Sequence, residues 1–103
     1  MYQVEFTPMA REAIYKITDY IKTNLKNEDA SNRLMLFMRK AAENIGTFPY
    51  AHTAFKTIKS TKYELRRIIV QNYAMFYIVD EENKVVTITA VKHESKRVKG
   101  ILK

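Results

Sequence analysis

Apolar positions along the chain change period twice, and the changes divide it into strand, helix and strand regions. Tyr2, Val4 and Phe6 alternate with Gln3 and Glu5, the period of a short strand with one buried face. Thr7-Pro8 then reads as a helix N-cap followed by proline at the first helical position. Ala10, Ala13, Ile14, Ile17, Ile21 and Leu25 recur at steps of three and four, which predicts an amphipathic helix over residues 8–24. Asn27 is placed to cap a second helix, with Glu28 and Asp29 in the first turn, where the helix dipole favours anions. Its stripe is Ala30, Leu34, Phe37, Met38, Ala41 and Ile45, and Gly46 stands where a C-terminal cap is wanted. So short a connection makes the two helices an antiparallel hairpin.

Residues 46–62 are less regular. Phe48, Tyr50, Phe55 and Ile58 are expected to tuck against the core, while Lys56, Lys59 and Lys62 follow no pattern that orients them. The period of two returns over 63–71, 73–80 and 85–93, predicting three antiparallel strands. Gln71-Asn72 forms a tight turn between the first two, and residues 80–84 a looser one between the last two. The middle strand is apolar on both faces, as expected when helices cover one side and a partner or another segment the other. The predicted fold is α+β in one domain, residues 1–103: an N-terminal strand, an antiparallel helical hairpin, then a three-stranded antiparallel meander in one twisted sheet.

Composition narrows the function classes. The chain has 103 residues and no cysteine, which removes disulfide and thiolate chemistry and agrees with a cytoplasmic protein. No apolar run approaches the ~20 residues of a membrane span, and the N-terminus does not read as a signal peptide. Metal-ligand spacing, a glycine-rich phosphate loop and a Ser-His-Asp pattern are also missing from the sequence, so neither a metal nor a small-molecule cofactor is expected. The net charge is +7 and lopsided: residues 1–30 sum to −1 and the remainder to +8. Such a surface suits an anionic partner, nucleic acid or acidic protein, although it also serves solubility alone.

Several residues are candidates for chemistry or binding. His93, beside Lys92 and Glu94 at the end of the last strand, could exchange protons near neutral pH, or it is simply a surface histidine. Arg66 and Arg67 are adjacent on a strand and point to opposite faces, so at most one reaches a given site. Each reads either as a phosphate clamp or as an edge-strand charge whose stem packs on its neighbours. Tyr73 and Tyr77 share a strand face; stacking on a base is one role, and core packing with a wet hydroxyl the blander one. Met35, Met38 and Met75 read as adaptable core. Lys92, Lys96 and Arg97 concentrate positive charge near the C-terminus.

Taken together, the chain resembles the RelE/ParE superfamily of toxins from bacterial type II toxin–antitoxin systems. The resemblance covers nearly its whole length. It rests on the opening strand running into FTPMAREAIYKITDYI, on Phe48-Pro49 after the second helix, and on LRRIIVQNYAMFYIVDEENKVVTITAVKH. Its most specific piece joins Arg66 or Arg67 to Asn72, Tyr73, Phe76, Tyr77, Val79 and Asp80, with Val91 and His93 closing the last strand. The resemblance implies a growth-inhibiting toxin neutralised by a cognate acidic antitoxin, acting on DNA gyrase in one branch and on ribosome-bound mRNA in the other, with an inactive family member that only binds its antitoxin as a third alternative. Ribosome-dependent members resemble one another in an Arg after the tyrosine that opens the middle strand; Ala74 stands there. A second Arg past the last strand is matched by Glu94, and two basic positions in the preceding strand map onto Leu65 and Arg67. Loss of one charge-stabilising group typically costs ~10²–10³ in rate. The Asn-Tyr-x-x-Phe-Tyr form is more similar to the ParE branch. For the nuclease reading the implied catalytic residues are His93 and Arg67; for target binding they are Arg66, Tyr73, Lys92, Lys96 and Arg97.

Overall fold

A computed structural model describes residues 1–52 and 63–94 in full and the backbone of 54–57. The element order is β1 (Gln3–Phe6), α1 (Pro8–Asp19), a π-helical turn (Tyr20–Asn24), α2 (Glu28–Thr47), β2 (Ala54–Thr57), β3 (Glu64–Val70), β4 (Tyr73–Asp80) and β5 (Val85–His93). The five strands form one sheet in the order β1-β5-β4-β3-β2. β2, β3, β4 and β5 run antiparallel to their neighbours, whereas β1 lies parallel to β5 with Val4 opposite Val86 and Phe6 opposite Ile88. The hairpin carries the chain from β1 at one edge of the sheet to β2 at the other, and β5 returns beside β1 only after β3 and β4.

Both predicted N-caps are present. Thr7 Oγ1 accepts the Ala10 amide at 3.1 Å and donates to the Thr89 carbonyl at 3.1 Å, so one side chain starts α1 and ties it to β5. Asn27 Oδ1 accepts the Ala30 amide at 3.0 Å at the start of α2. The helices are joined across their interface by Ser31 Oγ, which donates to the Thr18 carbonyl at 2.8 Å in a buried setting. The core is a sandwich of the hairpin on one sheet face. Leu34, Met38, Ala41, Ala42 and Ile45 of α2 and Ala10 of α1 meet Met75, Tyr77 and Val79 of β4 and Val86, Ile88 and Val91 of β5.

Several features depart from the sequence reading, and one is that Phe48 and Tyr50, expected to tuck against the core, are 59% and 50% exposed. The first helix leaves α geometry at Asp19 and ends in the π turn; the Leu25 amide donates to the Tyr20 carbonyl at 3.2 Å, five residues back. Gly46 is not the cap: α2 runs to Thr47, and a Cβ on Gly46 would sit 2.7 Å from Val4 Cγ2. Glycine is there because the end of α2 crosses close over β1, where the Tyr2 amide donates to the Gly46 carbonyl at 2.9 Å. Residues 54–57, read as irregular, are the edge strand β2. Met35 is exposed, while Met38 and Met75 are core. The expectations for the side chains of Phe55 and Lys56, for Ile58, Lys59 and Lys62, and for the tail from Ser95 onward, including Lys96 and Arg97, fall outside the described residues.

The meander matches its predicted bounds to within a residue. Gln71 takes a φ of 59° at the tight turn, and Asp80 holds the looser one through the Asn83 amide and side chain at 3.2 and 2.8 Å. Thr89 is an extra residue in β5: Phe76 faces Ala90 while Tyr77 faces Ile88. Such a bulge bends the strand locally and strengthens its twist.

Candidate functional site

The register assigns each candidate side chain to a face. Tyr73, Met75, Tyr77 and Val79 point toward the helices, so their partners Val70, Ile68 and Arg66 on β3 and His93, Val91, Ile88 and Val86 on β5 do too. The opposite face carries Arg67 and Ile69 of β3, Ala74, Phe76 and Ile78 of β4, and Ala90 and Lys92 of β5. Arg66 and Arg67 therefore point apart, as strand alternation requires.

At one end of the helix-facing side, Tyr73 and His93 are directly opposite each other. Their rings meet edge to face, centroids 5.2 Å apart. Both remain accessible, beside the Gln71-Asn72 turn and the tip of the hairpin. On the other face, Arg67 Nη1 lies 3.8 Å from Glu94 Oε1. His93 and Arg67, the pair implied for RNA cleavage, thus leave the sheet on opposite faces, with the Arg67 guanidinium held at Glu94. Ala74 is 2% exposed, packed between the chains of β3 and β5. Lys92 is exposed beside it.

Arg66 lies at the far end of the helix-facing side and is built into the fold. Its Nη1 donates to the His52 carbonyl at 2.5 Å, its Nη2 pairs with Glu64 at 2.9 Å, and the guanidinium stacks 5.0 Å from the Tyr50 ring centroid. Tyr77 lies beneath, 0% exposed, and its hydroxyl donates to the Pro49 carbonyl at 2.8 Å. The hydroxyl is therefore buried rather than wet, and that burial raises its pKa.

Next to Arg66 is an interaction centre that the sequence reading missed. Tyr2 and Tyr50 both donate to Glu81 Oε1, at 2.6 and 2.8 Å, and Lys84 pairs with Glu81 Oε2. The hydrogen bonds from Lys84, Tyr2 and Tyr50 hold the Glu81 carboxyl down at about 2. Desolvation, then the Glu81 hydrogen bond, pushes the Tyr50 phenol up to about 12. These residues come from the position just before β1, the segment after α2 and the β4–β5 turn. Sequence spacing gives no hint of such a meeting; the only signal was an excess of tyrosine. Arg66, Glu64, Glu81 and Tyr50 are so fully engaged with one another that the cluster reads as a clasp between chain segments. Among the described residues, no group of three His, Asp or Glu is placed to hold a metal ion, and no helix is long and apolar enough to cross a membrane.

The family model for the ParE toxin of the type II toxin–antitoxin system parDE matches residues 4–98, and the chain belongs to that family. Among solved structures it is similar to a chain of the chromosomal ParDE system of P. aeruginosa, with a TM-score of 0.71 at 11% identity, covering 92% of this chain and 98% of that one. It is also similar to the isolated E. coli RelE toxin, with a TM-score of 0.59 at 16% identity over 98% and 99% of the two chains. A chain of the archaeal RelE–RelB complex from Pyrococcus horikoshii gives 0.58 at 18% identity over 92% and 97%. These identities carry the fold alone. A comparison with curated proteins gives no match.

Proposed function

We propose that this chain inhibits growth by binding DNA gyrase, as a ParE-like toxin, rather than by cleaving RNA, and that a cognate acidic antitoxin neutralises it in the cytoplasm. The observation that carries this reading is the separation of His93 from Arg67 across the sheet. In-line cleavage of an RNA backbone needs a proton-transfer group and charge stabilisation converging on one phosphate. Arg66 is committed to His52, Glu64 and Tyr50, and the position after Tyr73 is the buried Ala74. The ParE family match and the ParDE, RelE–RelB and RelE neighbours support toxin action with an antitoxin partner. On this reading Tyr73 and Lys92, together with Lys96 and Arg97 of the tail, contribute to target contact. His93 stands beside Tyr73 on the helix-facing side, across the sheet from Lys92, and performs no catalysis.

The test is brief induction in cells, with growth and mRNA ends followed together. Wild type and His93→Ala are expected to arrest growth equally, with no new 5′ ends inside translated codons. A His93→Ala variant that loses toxicity, alongside translation-dependent cleavage by wild type, would replace this reading with a ribosome-dependent endoribonuclease.

A further inference from the structure

The hairpin has an outer groove that the proposed activity leaves unused. It is lined by Phe6 of β1, by Arg11, Ile14, Tyr15 and Thr18 of α1 and by Met35 of α2, with a volume of about 310 Å³. The Thr18 hydroxyl is turned back on the Ile14 and Tyr15 carbonyls, at 2.9 and 3.2 Å, so its proton is already used. The Arg11 guanidinium lies over the Phe6 ring, 5.9 Å from its centroid. Large apolar groups nevertheless stay open to water here: Tyr15 is 67% exposed and Met35 41%.

The charges beside the groove are ordered. Arg11, Tyr15 and Asp19 follow one another at steps of four, which places them in a row along one exposed side of α1. Arg11 stands four residues before Tyr15 and Asp19 four after it, so the row reads cation, ring, anion. A two-fold axis at Tyr15, with two α1 helices antiparallel, maps this row onto itself with opposite signs meeting. Arg11 of one copy then faces the partner's Asp19, and Asp19 faces the partner's Arg11. An isologous interface requires such self-complementarity.

Charge also decides which occupant the groove takes. A chain of net charge +7 repels its own copies over most of its surface. Residues 1–30, which supply all of the lining except Met35, sum to −1, whereas the remainder carries +8. Two copies can approach on the near-neutral side, while an acidic protein or a phosphate backbone is drawn to the other. A small molecule would want several polar groups converging on it, and the Thr18 proton is not available. We propose that the exposed side of α1 and the groove beside it form a self-association surface for a second copy of this chain. The helices lie antiparallel about Tyr15, the Tyr15 and Met35 side chains of the two copies pack together, and two Arg11–Asp19 pairs close the rim. Tyrosine and methionine are both enriched at interfaces, and methionine adapts its shape to the surface it meets. A contact built on one 12-residue helix from each copy falls among small interfaces, below ~1,200 Å², so the dimer is weak and forms with concentration.

The experiment is sedimentation equilibrium of the purified full chain over a concentration series. The mass is expected to rise from 12.1 kDa toward twice that value. Arg11→Asp and Asp19→Arg are each expected to weaken association by roughly 10-fold or more, because each sets like charges together twice in the dimer. The double variant Arg11→Asp/Asp19→Arg exchanges the signs and is expected to recover association, which loosening of the fold would not do. Leu25→Asp, at an exposed apolar position just after the π turn, is the control and is expected to associate as wild type does. Thermal melts check that each variant folds. Wild type that stays at 12.1 kDa throughout overturns the proposal. Association that both single variants retain, or that the folded double variant fails to recover, overturns it too. So does loss of association in Leu25→Asp alone, which would move the contact to the tip of the hairpin.

Discussion

Tyr77→Phe removes one oxygen from the centre of the fold. Tyr77 is on the middle strand, 0% exposed, and its hydroxyl donates to the Pro49 carbonyl at 2.8 Å. Pro49 is itself buried, and it leads into the segment whose Tyr50 and His52 receive Glu81 and Arg66. The phenylalanine ring fills the same space, so no cavity term enters. What is lost is a donor to a buried carbonyl, a cost of ~1–3 kcal/mol. For a domain of this size that lowers Tm by roughly 4–8 °C per kcal/mol. Urea denaturation followed by circular dichroism should show a lower midpoint with an unchanged slope, since the surface exposed on unfolding is the same. Tyr73→Phe is the matched control: its ring is half-exposed beside His93, and its effect should stay within about 0.5 kcal/mol. Burial also raises the Tyr77 pKa, so the folded state favours the neutral phenol. That contribution is present below the ordinary phenol range and is lost as pH rises through the folded value. A Tyr77→Phe midpoint matching that of wild type would refute the reasoning.

Thr7→Ala loses both the cap on Ala10 and the bond to Thr89, and should cost ~1–2 kcal/mol by urea melt. Gly46→Val places a branched side chain where a Cβ already meets Val4 Cγ2 at 2.7 Å; a loss of ~1–3 kcal/mol from overpacking is expected, read as a lower Tm. The Glu81 carboxyl is held at about 2 by Lys84, Tyr2 and Tyr50, below an ordinary carboxylate. Its contribution is therefore complete above the ordinary range and fades as pH falls toward about 2, an acid-limb loss that Glu81→Gln should flatten in a pH series of melts.

The strands of the meander were legible because alternation and turn chemistry agree: Gln71-Asn72 at one turn, Asp80 and Asn83 at the other. Both helix starts were legible through Thr7-Pro8 and Asn27. What the sequence hid are features set by approach between distant segments. Gly46 resembles a cap because glycine often is one, yet here it admits β1 against α2. The π turn leaves no mark in the pattern, since Leu25 sits at a spacing that fits an uninterrupted helix. β2 is too short, at four residues, for its alternation to stand out. Of the candidate site, the opposed faces of Arg66 and Arg67 could be deduced from alternation, but the pairing of Arg66 with Tyr50 and His52 required the fold.

Purified gyrase should be incubated with the chain, relaxed plasmid and ATP, and supercoiling and cleaved DNA measured, with translating ribosomes and mRNA run in parallel. Wild type and His93→Ala are both expected to inhibit gyrase, with mRNA left intact. Full gyrase activity beside ribosome-dependent cleavage of mRNA would contradict the gyrase reading.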